Sequence, residues 1–282
     1  MWDKRLREML PGYAFIKTHK VGGTTVAKML HRTLNETQNA TRCDDNNQSV
    51  HFVFKPPPGC RACLTHASSM QIANALREPN LHTSRTAVRK VCPFWTTAQP
   101  LHTMIMIREP VDHVYSRYHY EQSDGWCRRQ AANLGFRGCA SDHLPFLEWA
   151  LASPTRLTGH KLFRNPHYAI FAETVVTLGG KGGVHEALRV LDKIEVVGIT
   201  DRLDDTLRVL SVSWGLPLHV LKKHCGHARR GKPRSPLNAS VAHAMRARSY
   251  WLRQEQRLYD YASSRLTKRL RALVSGAGGA AV

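Results

Sequence analysis

Apolar residues along this chain fall alternately into short continuous runs and into helical spacing, and that alternation predicts an α/β fold. Residues 13–17, Tyr-Ala-Phe-Ile-Lys, read as a short buried strand. A glycine-containing loop follows. Thr24 to Leu34 is then predicted as a helix, because Val26, Met29, Leu30 and Leu34 fall on one face. The clearest strand is Leu101 to Ile107, Leu-His-Thr-Met-Ile-Met-Ile, ended by Arg108-Glu109-Pro110. Pro110 suits the first turn of the next helix, where a missing N–H leaves no intrahelical bond unmade. Val111, Val114, Tyr115 and Tyr118 form the apolar face of that helix. Glu195 to Ile199 reads as another buried strand. Thr200-Asp201 is expected to cap a helix over 202–214, with Leu203, Leu207 and Leu210 inward.

The remaining segments carry weaker patterns. Residues 35–65 are polar and broken by Pro56-Pro57-Pro58-Gly59, so they read as loop with one strand at 50–54. Short helices are expected over 67–77 and from Leu144 to Ala152, and basic loops over 125–141 and 223–236. A long amphipathic helix fills 239–272, and Ser275 to Val282 is a small-residue tail expected to be disordered. Strands alternating with helices imply a central, mainly parallel sheet flanked by helices. With no repeat and no linker, residues 1–274 are expected to form one domain.

Bulk composition changes this picture little, but charge does. Apolar residues make up 42% and charged residues 22% of the 282, an ordinary globular balance with ample material for a core. Lys and Arg number 41 against 21 Asp and Glu, a net of +20, and a field of that sign concentrates anionic partners. Nucleic acid, anionic membrane, acidic glycan and a phosphate-rich cofactor all fit it. No apolar run is long enough to span a bilayer, and Met1-Trp2-Asp3-Lys4-Arg5 is too charged for a signal peptide. The expectation is therefore a soluble chain, or one whose anchor lies upstream. Seven cysteines leave at least one thiol unpaired if the others pair within the chain. Asn-x-Ser/Thr sequons at Asn35, Asn39, Asn47 and Asn238 favour a secretory lumen modestly.

Candidate chemistry begins at Lys17-Thr18-His19-Lys20-Val21-Gly22-Gly23-Thr24-Thr25. A loop running into a helix offers free backbone N–H groups and the positive end of the helix dipole, and both favour an anion. Gly22 and Gly23 allow close backbone approach, Thr24 and Thr25 add hydroxyls, and Lys17 and Lys20 add charge. The lysine precedes the glycine pair, whereas a Walker A loop places it after the last glycine. ATP or GTP hydrolysis of that type is disfavoured. A plain glycine turn before a helix is the bland alternative. Arg108 ends a strand and Ser116 lies eight residues on, so both can donate to a second phosphate. The alternative for Arg108 is a local ion pair with Glu109 or Asp112. In parallel sheets ligands collect at the carboxyl ends of strands, where Lys17 and Arg108 are both expected.

Together these segments resemble the sulfotransferase superfamily. Phe15 to Val26, Phe-Ile-Lys-Thr-His-Lys-Val-Gly-Gly-Thr-Thr-Val, is similar to its 5′-phosphosulfate loop. Met106 to Ser116, Met-Ile-Arg-Glu-Pro-Val-Asp-His-Val-Tyr-Ser, is similar to its 3′-phosphate motif. Val197 to Leu207 and Arg257 to Tyr261 resemble segments of the membrane-anchored, carbohydrate-acting members. The Lys-Thr-His-Lys opening is most similar to galactose 3-O-sulfotransferases, which include the galactosylceramide enzymes, and next to heparan sulfate 2-O-sulfotransferases. The likeness spans about residues 12–265, and its specific part is the two phosphate motifs.

The resemblance implies a P-loop-like sulfotransferase fold, a Golgi location, and 3′-phosphoadenosine 5′-phosphosulfate (PAPS) as donor, without a metal. It implies Lys20 at the bridging oxygen, with Lys17, Thr18, His19, Val21, Gly22, Gly23, Thr24 and Thr25 around the 5′-phosphate. Arg108 and Ser116 would hold the 3′-phosphate, and Arg230 and Lys232 would close over the nucleotide from a late basic loop, whose competing and preferred reading is a solvated charge run. His66 is the candidate base, ahead of His51 and His82, since imidazole titrates near neutrality. A surface or structural histidine is the competing reading. Asn165-Pro166-His167-Tyr168 lies where relatives contact acceptor. The partner implied is a glycan or glycolipid, with a galactose 3-hydroxyl first and a heparan- or chondroitin-type acceptor second.

Other signals carry less. Cys60-Arg61-Ala62-Cys63 with His66 lacks a second ligand pair at finger spacing, so zinc is disfavoured. Cys127 with Cys139, and Cys60 or Cys63 with Cys43 or Cys92, are candidate disulfides whose connectivity sequence does not fix. A nucleotide kinase of the same fold and a basic nucleic-acid-binding protein are the competing functions. The first lacks the Walker lysine, and the second lacks any recognition motif.

Overall fold

The computed structural model describes residues 11–18, 22–42, 60–64, 66–78, 101–123, 173–225 and 237–277. Its centre is a sheet of five strands: β1 (Gly12–Ile16), β2 (Thr41–Arg42), β3 (Cys60–Cys63), β4 (Leu101–Ile107) and β5 (Val196–Ile199). Their order is β2-β3-β1-β4-β5, and every pairing is parallel. β1, β4 and β5 are buried almost throughout, as parallel strands covered on both faces must be. This is the α/β architecture expected.

Helix α1 (Gly23–Gln38) buries Val26, Met29, Leu30 and Leu34, the face its spacing predicts. It runs four residues beyond the predicted end. Asn39 stops it with a left-handed φ of 47°, a conformation asparagine tolerates. Asn35 therefore lies in a helix rather than in a polar loop, and both it and Asn39 are exposed. α2 (His66–Leu76) follows β3, and α3 (Pro110–Ser123) follows β4 with Pro110 in its first turn. Beyond them come α4 (Glu173–Gly179), α5 (Gly183–Lys193), α6 (Leu203–Trp214), α7 (Leu218–Cys225), α8 (Ala239–Arg248) and α9 (Tyr250–Ala277).

Several boundaries differ from expectation. Thr200 and Asp201 do not cap α6. They form a 3-10 turn with Arg202, and no side chain caps the helix. The helix over 239–272 is two helices, broken at Ser249, whose hydroxyl accepts from the Leu252 N–H at 3.2 Å. α9 continues to Ala277, three residues into the expected tail. α7 occupies the start of the expected 223–236 loop. The strand at 50–54, the helix Leu144–Ala152 and the loop 125–141 lie outside the described residues.

Several cations are spent inside the fold. Arg77 donates to the Leu178 and Thr177 carbonyls at 2.8 and 2.5 Å, closing α4. Lys193 and Arg189 donate to carbonyls at the end of α2, Leu76 and Arg77. Arg265 donates to those of Leu191 and Ile194 at the carboxyl end of α5. Side-chain cations at helix carboxyl ends satisfy orphan carbonyls and oppose the dipole.

Glu255 of α9 acts at the other end of α4, where its carboxylate accepts from the Val175 N–H at 2.7 Å. Burial, and then the neighbouring Glu173, push its pKa up to about 7, against the hydrogen bonds from Val175 and Thr174. The unfolded chain releases this proton near 4.5, the ordinary glutamate value, before the native state does. Stability should therefore fall as pH rises between those values, by about 3 kcal/mol in all. Glu255→Gln keeps an oxygen acceptor and removes the titration. Urea unfolding at pH 5 and pH 8 should show the wild type losing stability relative to the variant. Parallel curves would contradict this.

Candidate functional site

The strand order defines one special place. From β1 the chain leaves through α1 toward β2 and β3 on one side, while β4 leads to β5 on the other. Connections leaving adjacent strands in opposite directions open a crevice outside their carboxyl ends, where ligands bind in open α/β sheets. Here those strands are β1 and β4, paired from Gly12↔Leu101 to Ile16↔Ile105. Lys17 follows β1 and Arg108 follows β4, so the fold brings both candidate anion loops to the switch point.

The first loop is shaped by its glycines. Gly22 adopts φ 73°, a left-handed conformation that a side chain would strain, and α1 has no side-chain cap. The Gly22 carbonyl accepts from the Val26 N–H at 3.0 Å and starts the helix. Gly23 is buried under Lys17: a Cβ there would lie 2.8 Å from Lys17 Cγ and 3.3 Å from the Thr18 carbonyl oxygen. The lysine stem thus folds back over the helix start. Thr18 is 2% exposed, and its hydroxyl has no hydrogen-bond partner among the described residues. A buried donor of that kind calls for a polar partner. Thr24 is exposed and Thr25 half-buried at the first turn. His19, Lys20 and Val21 lie outside the described residues.

The second loop has a different support. Glu109 caps α3: its Oε2 accepts from the Asp112 N–H at 2.7 Å and its carbonyl from the His113 N–H at 2.8 Å. Its Oε1 accepts from Arg246 of α8 at 2.6 Å. The Glu109 carboxylate is thus engaged from two sides. Arg108 is half-buried and Ser116 buried. One turn before Ser116, the buried His113 stands with Nε2 3.8 Å from Glu173 Oε2, packing α3 against α4.

β5 supplies a third wall that the residue patterns did not single out. Thr200 donates to the Ile107 carbonyl at 3.2 Å, and its methyl carbon lies 3.8 Å from where a Gly22 Cβ would be. One residue thereby links the ends of β4 and β5 to the loop after β1. Gly198 makes this possible, since a Cβ there would collide with Met106 and Thr206. Thr206 accepts from the Ile199 N–H and donates to the Arg202 carbonyl, both at 3.0 Å. The signal for Thr200 was its place directly after a buried strand.

His66 is the first residue of α2, three residues beyond β3, whose Cys63 pairs in register with Ala14. Its backbone is therefore at the carboxyl edge of the strand beside β1. Cys63 is disulfide-bonded, which removes it as a metal ligand. Among the described residues no three His, Cys, Asp or Glu side chains group as a metal site. No helix among them is long and apolar enough to cross a membrane. His51, His82, Arg230, Lys232, the Asn165–Tyr168 segment, and Cys43, Cys92, Cys127 and Cys139 lie outside the described residues. No model of a known protein family matches the sequence, and no curated protein matches it.

Proposed function

We propose that this protein is a sulfotransferase that moves a sulfuryl group from PAPS to a hydroxyl of a glycan or glycolipid, a galactose 3-hydroxyl first. One observation supports the reading: β1 and β4, the strands that lead into the two candidate phosphate loops, are parallel neighbours at a switch point in the order of the described strands. The orphaned Thr18 hydroxyl and the uncapped start of α1 fit a phosphate at the first loop. Arg108 and Ser116 fit a second phosphate at the other, the group that separates this donor from ATP.

In this reading Gly22, Gly23, Thr24 and Thr25 orient the 5′-phosphate, and Thr18 donates to it. Lys20 places a cation at the oxygen that gains charge as its bond to sulfur breaks. His66 takes the acceptor proton as the new sulfur–oxygen bond forms, and 3′,5′-bisphosphate leaves. The chain's part is positioning and charge stabilisation, as in phosphoryl transfer. Arg230 and Lys232 would cover the nucleotide. Exposed sequons at Asn35 and Asn39 support a Golgi lumenal setting.

The test is transfer of labelled sulfate from PAPS to a panel of galactosylceramide, lactose and desulfated heparan. Label should appear first on the galactose acceptors. A panel with no labelled product would remove the reading.

A further inference from the structure

One face of α9 is exposed along most of its length. Tyr250, Arg253, Arg257, Tyr261, Lys268 and Arg271 fall on that face at helical steps, and all six are exposed. The four cations span about 27 Å at 1.5 Å per residue. The opposite face is anchored in the core through Leu252, Leu258, Ala262 and Leu266. One exposed carboxylate, Asp260, shares this face, three residues after Arg257 and seven after Arg253, and accepts from Gln256 at 2.8 Å. Asp192 of α5 accepts from the Tyr261 hydroxyl. Four cations against one carboxylate leave the face with a positive excess. Arg253 also donates to the Ala247 carbonyl at 2.9 Å, which fixes its guanidinium where α8 turns into α9.

The stripe points at the crevice. Tyr259 donates to Asp201 at 3.4 Å, just past the carboxyl end of β5, while Arg265 reaches Leu191 and Ile194 before its start. α9 therefore runs antiparallel to β5. Its first two turns, with Tyr250, Arg253 and Arg257, project beyond the sheet edge that carries Lys17 and Arg108.

We propose that this stripe is a docking track for a linear acidic glycan, which it guides toward the crevice; the choice of a sugar polymer rests on the sulfotransferase reading above, with the heparan- or chondroitin-type acceptor that the resemblance puts second. Arginines pair with sulfate or carboxylate groups along the chain. Tyr250 at the head of the stripe and Tyr261 within it offer flat rings to sugar faces. A membrane surface is a poorer fit, because the stripe has no aliphatic side chain to insert.

The experiment titrates a heparin octasaccharide, and separately an oligothymidylate of equal charge, into the wild type and Arg257→Glu/Lys268→Glu/Arg271→Glu. The wild type should prefer the octasaccharide. The triple variant should bind it at least about tenfold more weakly, with a shallower salt dependence. Affinity for 3′-phosphoadenosine 5′-phosphate and the unfolding midpoint should hold, which separates this track from the nucleotide site. Octasaccharide binding equal to wild type in the triple variant would overturn the proposal, as would oligothymidylate bound as tightly and lost in parallel. Octasaccharide loss in a protein that never binds the bisphosphate would keep the track and remove the reading of the crevice.

Discussion

Lys20→Ala should lower sulfate transfer by about 100- to 1,000-fold while leaving the fold and nucleotide binding in place. In sequence Lys20 is the charged residue nearest the glycine pair, two positions before Gly22. Its charge is needed most in the transition state, when the bridging oxygen is losing its bond to sulfur. An interaction made chiefly at that point lowers kcat and not ground-state affinity. Single-turnover rates and calorimetric binding of the bisphosphate product should therefore separate. A variant that keeps its turnover would move the role to another residue. Lys17 is the neighbouring cation, but its stem packs across Gly23 and so has a shaping part in the loop.

Arg108→Ala should weaken 3′-phosphoadenosine 5′-phosphate by about 100-fold, some 3 kcal/mol, and leave ATP affinity nearly unchanged. On the proposed reading the effect is selective, because Arg108 sits on the second loop and the phosphates that both nucleotides share are assigned to the first. Glu109 next to it holds α3 and Arg246 together, so the α3 cap should survive the substitution. Arg108→Lys should recover only part of the loss, since an ammonium does not reproduce the guanidinium fork. Equal weakening of both nucleotides would show that Arg108 supports the whole site and does not read the 3′-phosphate.

The parts of the fold that were legible are those where burial leaves an unbroken apolar signature. Leu101–Ile107 was read to the residue, and β1 and β5 to within one, because central parallel strands are apolar on both faces. β3 was hidden by Cys-Arg-Ala-Cys. Its Arg61 is buried, donates to the Pro11 and Gln38 carbonyls, and has its pKa lowered by that burial. β2 has two residues, too few for a period. α4, Glu-Thr-Val-Val-Thr-Leu-Gly, is short and rich in β-branched residues, so local preference argues against a helix. Arg77 and Glu255 hold its two ends from a distance, and no window of sequence contains that information. The break at Ser249 had a local cue, a serine ahead of a helical run.

The same division runs through the site. Lys17, Gly22, Gly23 and Arg108 were legible because loop chemistry is written in adjacent residues. That the strands leading into the two loops are neighbours depends on the strand order, which no motif encodes. Thr200 became part of the site only through its contacts with Ile107 and Gly22. The charge of +20 also divides once the fold is known. Arg77, Arg189, Lys193 and Arg265 serve carbonyls inside the structure. Others, Arg253, Arg257, Lys268 and Arg271, lie on the exposed face of α9.

The central claim is that the crevice between β1 and β4 distinguishes a nucleotide carrying a 3′-phosphate. Calorimetric titration of the wild-type protein with 3′-phosphoadenosine 5′-phosphate and with ATP measures that difference directly. The account predicts at least about tenfold tighter binding of the bisphosphate, in line with one additional charge-assisted contact set at Arg108 and Ser116. Equal or tighter binding of ATP would contradict it.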